Sequence, residues 1–107
     1  MSTVTAVTDS SFTAEVLRSP QPVLVDFWAD WCVPCRQLAP IIDELANQYG
    51  DRVKFVSVDT NVNTTVAMDQ DIRTLPTIKV FVGGEVVDMI VGSATKMKLR
   101  SMLDALE

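Results

Sequence analysis

The sequence predicts an α/β fold, a central mixed five-stranded sheet flanked by four helices in the order βαβαβαββα. Three observations carry this. Residues 23–29 (VLVDFWA) are almost continuously apolar, β-branched and aromatic, as a strand buried on both faces should be. Shortly after them, Leu38, Ile41, Ile42, Leu45, Ala46 and Tyr49 recur at the helical period. Finally, Gly83-Gly84 separates two runs rich in β-branched residues, the mark of a tight hairpin.

Each element follows in order. Residues 3–7 alternate as a short strand. Asp9-Ser10-Ser11 can cap a helix over 12–18, and the turn Ser19-Pro20-Gln21-Pro22 stops it. The strand at 23–29 leads into a helix over 35–49 that ends near Gly50. A strand at 53–59 and a short helix at 63–70 come next. Strands at 77–82 and 86–91 form the hairpin, and 95–106 closes the chain as a helix with Leu99, Met102, Leu103 and Leu106 on one stripe. Alternating strands and helices imply parallel pairing with helices on both faces, and the hairpin adds antiparallel strands. No repeat, linker or low-complexity segment interrupts the chain, so one domain over residues 1–107 is expected.

Composition narrows the chemistry. The 107 residues are 48% hydrophobic and 21% charged, enough for a core and unlike a disordered chain. The net charge is −5 and the basic residues are scattered, which argues against a grip on nucleic acid. Nowhere do more than three hydrophobic residues run together, so neither a membrane span nor a signal-peptide core is expected. There is no histidine. That removes Ser-His and Cys-His catalysis, histidine zinc sites and histidine proton shuttles.

The 2 cysteines, Cys32 and Cys35, are spaced Cys-x-x-Cys. Secreted disulfide scaffolds usually carry more cysteines, and zinc would need four ligands where two thiolates stand without histidine, so no metal is expected. A structural staple closing so short a loop restricts the unfolded chain very little. Reversible thiol–disulfide chemistry remains. The pair lies where the second strand hands over to the second helix, and open α/β sheets place their chemistry at the carboxyl ends of strands.

The segment Val25-Asp26-Phe27-Trp28-Ala29-Asp30-Trp31-Cys32-Val33-Pro34-Cys35-Arg36, followed by Pro40, resembles the active-site segment of the thioredoxin family, of the bacterial or plastid type. Pro76 in Thr74-Leu75-Pro76-Thr77 matches later family positions, as do Phe81, Gly84 and Gly92, and the likeness covers essentially the whole chain. It implies the thioredoxin fold and a general protein-disulfide reductase with no bound cofactor. Electrons would come from a thioredoxin reductase, NADPH- or ferredoxin-dependent. That reductase and disulfide-containing target proteins are the implied partners. A cytoplasmic monomer is expected, or one in the plastid stroma where a transit peptide has been removed.

Roles can be argued residue by residue. Cys32, at the exposed start of the long helix, meets free N–H groups and the positive dipole end, which favour the attacking thiolate. Cys35, one turn inside and more buried, would resolve the mixed disulfide. Pro34 suits an early helical position because its missing N–H would be unpaired there anyway. It also stands where oxidising relatives have histidine, so the chemistry leans towards reduction. Asp26 is the odd residue in an apolar strand. It is either a hydrogen-bonded structural polar group, a solvent-facing strand residue, or a buried carboxyl held near neutrality that takes and returns the proton of Cys35. Two departures from the family pattern matter. Ser57 stands where lysine is common, and Val33 where glycine is common.

The remaining residues have structural as well as functional readings. Trp28 reads as packing, and Trp31 as a semi-exposed rim of the site. The resemblance makes Pro76 a cis-proline facing the disulfide, with the Leu75 backbone and side-chain-free Gly92 open to an extended target. Trp31, Val33, Leu75, Pro76 and Gly92 are thus the expected target-binding residues. Pro40 would kink the helix. Lys96, Lys98 and Arg100 form solvated surface, and the glycosylation triplet Asn63-Thr64-Thr65 is read as chance. Two other functions compete: a disulfide isomerase or oxidase, which usually favours histidine between the cysteines, and a non-catalytic module presenting a Leu75-Pro76 groove.

Overall fold

The computed structural model describes residues 3–106. The apolar run forms β2 (Val23–Trp28), the middle strand of a five-stranded sheet. On one side β3 (Lys54–Asp59) runs parallel to it, and β1 (Thr5–Ala6) lies parallel to β3 at the edge. On the other side β4 (Thr77–Val82) is antiparallel to β2, and β5 (Glu85–Val91) is antiparallel to β4. Gly83 and Gly84, with φ of +61° and +83°, make the two-residue hairpin turn that the sequence predicts.

The sheet separates two apolar layers. On one face α1 (Val33–Tyr49) and α3 (Lys96–Asp104) press Leu38, Ile42, Leu45, Leu99 and Leu103 against Leu24, Ile78 and Val80. On the other, Phe12, Val16 and Val66 pack against Val23, Val25, Phe27, Val58 and Phe81. The alternation along β2 therefore puts Asp26 on the face of Leu24, under α1. That is the face to which the second cysteine is delivered.

Two expectations change. The first strand covers two residues rather than 3–7. It has a single neighbour, and its ladder ends where the chain turns at Thr8, whose N–H is taken by the Ser11 hydroxyl at 2.9 Å. The expected helix at 12–18 is a five-residue π-helix, Thr13–Leu17, closed by an Arg18 N–H to Thr13 carbonyl bond of 2.9 Å and carrying no side-chain cap. Asp9 does not cap it. Its carboxylate instead accepts from the Val66 N–H at 2.8 Å and the Thr65 N–H at 3.4 Å, capping α2 (Thr64–Asp69) from far along the chain. A tertiary partner outcompetes the local one. Asn63 supports this junction, accepting from the Asp9 N–H and donating to the Asp59 carbonyl, both at 3.0 Å. It is buried, in keeping with the reading of its triplet as chance.

Candidate active site

The chain leaves β2 at Trp28 and enters α1 at Val33, after four intervening residues. Cys32 is the N-cap, with extended backbone (φ −89°, ψ 105°), and its Sγ accepts the Cys35 N–H at 3.2 Å. One otherwise unpaired donor of the first turn is thereby aimed at sulfur. Pro34 follows in that turn, where it sacrifices no helical bond. Cys32 and Cys35 are joined in a disulfide with their Cα atoms 5.3 Å apart.

The expected difference in exposure between the cysteines is absent, since Cys32 is 4% and Cys35 3% exposed. The disulfide folds the Cys32 sulfur back over the helix start. The neighbouring side chains carry the surface instead, with Trp31 68% exposed and Val33 51%. Trp31 is thus a more exposed rim than the sequence suggests. What distinguishes the cysteines is position, one at the cap and one inside the turn.

Asp26 is 6% exposed, and its Oδ1 has no hydrogen-bond partner among the described residues. It shares a cavity of about 250 Å³ with Cys35, Trp28, Ser57, Arg36 and Asp43. Burial raises the Asp26 pKa from 3.8 to about 7, and the Asp43 carboxylate pushes in the same direction. Burial removes the solvent-facing reading of Asp26, and its Oδ1 makes no structural hydrogen bond among the described residues. Ser57 is its register partner on β3, so a neutral hydroxyl stands where a cation would have favoured the ionised form.

Asp43, Arg36 and Trp28 join this cavity without a sequence expectation that places them there. Asp43 and Arg36 come from α1, and Trp28, read as packing, lines the wall. Cys35, Ala39 and Asp43 are spaced i, i+4, i+8, so helical periodicity applied to the polar residues as well would have found Asp43. Replacing Asp43 with Asn, or Ser57 with Lys, should lower the Asp26 pKa. Carboxyl NMR titration checks this, and an unchanged midpoint in both variants would remove the charges from the account.

Two of the residues expected to bind targets, Pro76 and Gly92, lie at the same end of the sheet. Phe27 pairs with Thr77, and Thr77 with Val91, so Pro76 and Gly92 lie next to the end of β2. The Leu75-Pro76 bond is cis, and the Gly92 N–H donates to the Pro76 carbonyl at 2.8 Å. Leu75 turns its side chain against the Phe12–Phe27 layer, which leaves its backbone to present. Gly92 has φ +91° with open space where a Cβ would stand, so it is favoured by its backbone rather than by crowding. Pro40 lies inside α1.

The Thioredoxin family model matches residues 3–105. The chain belongs to the thioredoxin family. It is 52% identical to Thioredoxin 1 of Synechococcus elongatus and 51% to Thioredoxin 1 of a Nostoc species, each over 97% of both chains. It is 48% identical to the thioredoxin of Griffithsia pacifica, over 94% of this chain and 92% of that one. Like other thioredoxins it is a thiol–disulfide oxidoreductase, a general protein-disulfide reductase that serves disulfide-containing targets and is recharged by a reductase. The isomerase, oxidase and binding-module alternatives give way to this activity.

Proposed function

We propose that reduction proceeds through Cys32 as nucleophile, Cys35 as resolving thiol and Asp26 as proton acceptor. The observation that carries this reading is Cys32 at the cap of α1 with Cys35 and Asp26 sharing one cavity behind it. In the reduced protein the Cys32 thiolate, favoured by the Cys35 N–H and the helix dipole, attacks one sulfur of a target disulfide. The target S–S bond breaks, its other sulfur leaves as a thiolate, and a mixed disulfide forms. Cys35 then loses its proton to Asp26 and attacks the Cys32 sulfur, releasing the second target thiolate and restoring the Cys32–Cys35 disulfide. An acceptor with a pKa of about 7 is well matched to moving a thiol proton in both directions. Pro34 keeps the first turn poor in donors, while the exposed Trp31 and Val33, with the Leu75 backbone and Gly92 beside the buried cis-Pro76, form the docking surface.

The same cysteines exchange with a thioredoxin reductase, and the protein binds no cofactor of its own. One chain supplies the cysteines and Asp26, so the reaction as proposed needs no second copy. Repeated reduction of the pair suits a reducing compartment, the cytoplasm or the plastid stroma. Purified NADPH-dependent and ferredoxin-dependent thioredoxin reductases, each with the oxidised protein and insulin as substrate, test the electron source. Sustained insulin reduction with one of them is expected, and none with either would overturn the reading.

A further inference from the structure

Lys79 is out of place in β4. Its neighbours Thr77, Ile78, Val80 and Phe81 are buried, and it is itself only 9% exposed. Its ammonium donates to the Gln70 backbone carbonyl at 2.6 Å and to the Gln70 Oε1 at 3.3 Å. Burial lowers the Lys79 pKa and nearby Asp71 acts against that. An apolar side chain of similar length would fill the strand position without a desolvation cost, so packing does not account for a cation here.

The bond falls on a particular stretch of chain. Gln70 is the C-cap of α2, where a helix leaves carbonyls unpaired and favours a positive charge. The chain then turns at Asp71, a non-glycine residue at φ +55°, whose carboxylate accepts from Arg73 Nε at 2.8 Å. Three residues on, the Thr74 carbonyl accepts the Thr77 hydroxyl at 2.6 Å. Thr77 and Lys79 are two apart in β4 and so share one face of the sheet. Between them they fasten both ends of the segment 70–74, which runs directly into Leu75 and Pro76.

We propose that Lys79 is a positioning residue whose ammonium clamps Gln70, so that the loop 70–75 offers the Leu75 backbone to protein targets already in its docked geometry. The inference rests on the assignment of Leu75 and Pro76 to target docking. A loop ordered beforehand loses less conformational entropy when a target pairs with it. The clamp therefore acts on target affinity, while the sulfur exchange at Cys32 lies outside its reach.

Lys79→Met keeps the aliphatic length and removes the donor. KM for insulin should rise about fivefold to tenfold with kcat within about twofold. KM for the small aromatic disulfide DTNB, which needs no loop, should stay within about twofold, and amide exchange at residues 71–75 should accelerate. Lys79→Arg, which retains donors, should restore most of the insulin affinity. If Lys79→Met does not fold, Lys79→Gln, shorter and neutral, carries the same expectations. An unchanged insulin KM in the folded variant, or an equal rise for both substrates, overturns the clamp. Trp31→Ala, at the projecting rim, separates the two layers of inference. An insulin KM unmoved by that change refutes the docking surface itself, whereas an effect there with none at Lys79 refutes the clamp alone.

Discussion

Cys35→Ser is expected to leave the protein covalently attached to its targets, whereas Cys32→Ser leaves it inert. The first variant keeps the capping thiolate and its N–H donor, so attack on a target disulfide still occurs. It lacks the sulfur that would displace the target, and the mixed disulfide accumulates. The second variant loses the only sulfur at the cap of α1, and Cys35, held inside the first turn, has no comparable position. Turnover of insulin should fall by at least about a thousandfold in both, because each removes a bond-forming sulfur. Only Cys35→Ser should yield target adducts on non-reducing gels. Burial does not decide this division, since the two cysteines are equally covered in the disulfide form. Alkylation mapping of the reduced protein that found Cys35 the faster thiol would reverse the assignment.

Asp26→Asn should slow resolution and raise stability together. With no carboxylate to receive the Cys35 proton, decay of a preformed mixed disulfide should slow by about a hundredfold near neutral pH, as stopped-flow measurements can show. The stability effect has a definite sign. The Asp26 pKa is raised in the folded protein, from 3.8 to about 7, so the native state binds the proton more tightly than the unfolded chain does. Stability contributed by the protonated form is fully present below the unfolded value and is lost as pH climbs through the folded one. Above that point the buried carboxylate costs roughly 4 kcal/mol. An amide of the same shape does not ionise. The variant should therefore match the parent near about pH 4 and exceed it by about 3–4 kcal/mol near about pH 8, measured by urea unfolding at each pH. Stability curves that ran parallel across this range would show that Asp26 does not ionise under desolvation as described.

Much of this protein is legible in its residues, because the patterns involved are local. Continuous apolar character marks β2, a helical stripe marks α1, and paired glycines mark the hairpin, each within a short window. The Cys-x-x-Cys spacing at a strand-to-helix junction and the lone carboxylate in an apolar strand locate the chemistry in the same way. For Asp26 the apolar strand leaves a structural, a solvent-facing and a proton-accepting reading open, and only the packing of α1 over β2 places it in the cavity with Cys35. Other features depend on partners far apart in sequence, which no local pattern encodes. Asp9 sits where a nearby helix could use it, yet the packing of the Phe12 layer brings the start of α2 within its reach instead. Asp43 enters the cavity through the fit of α1 over the sheet, and Lys79 meets Gln70 only because α2 ends above β4. The near-equal burial of the two disulfide-joined cysteines, with Trp31 and Val33 exposed beside them, is likewise a tertiary outcome. Sequence alone determined the order of strands and helices and the Cys-x-x-Cys at the junction of β2 and α1, since these rest on spacing along one chain. Which charges face Asp26 and what holds the docking loop were decided only by the tertiary structure, because electrostatic and hydrogen-bond partners are chosen by distance in space.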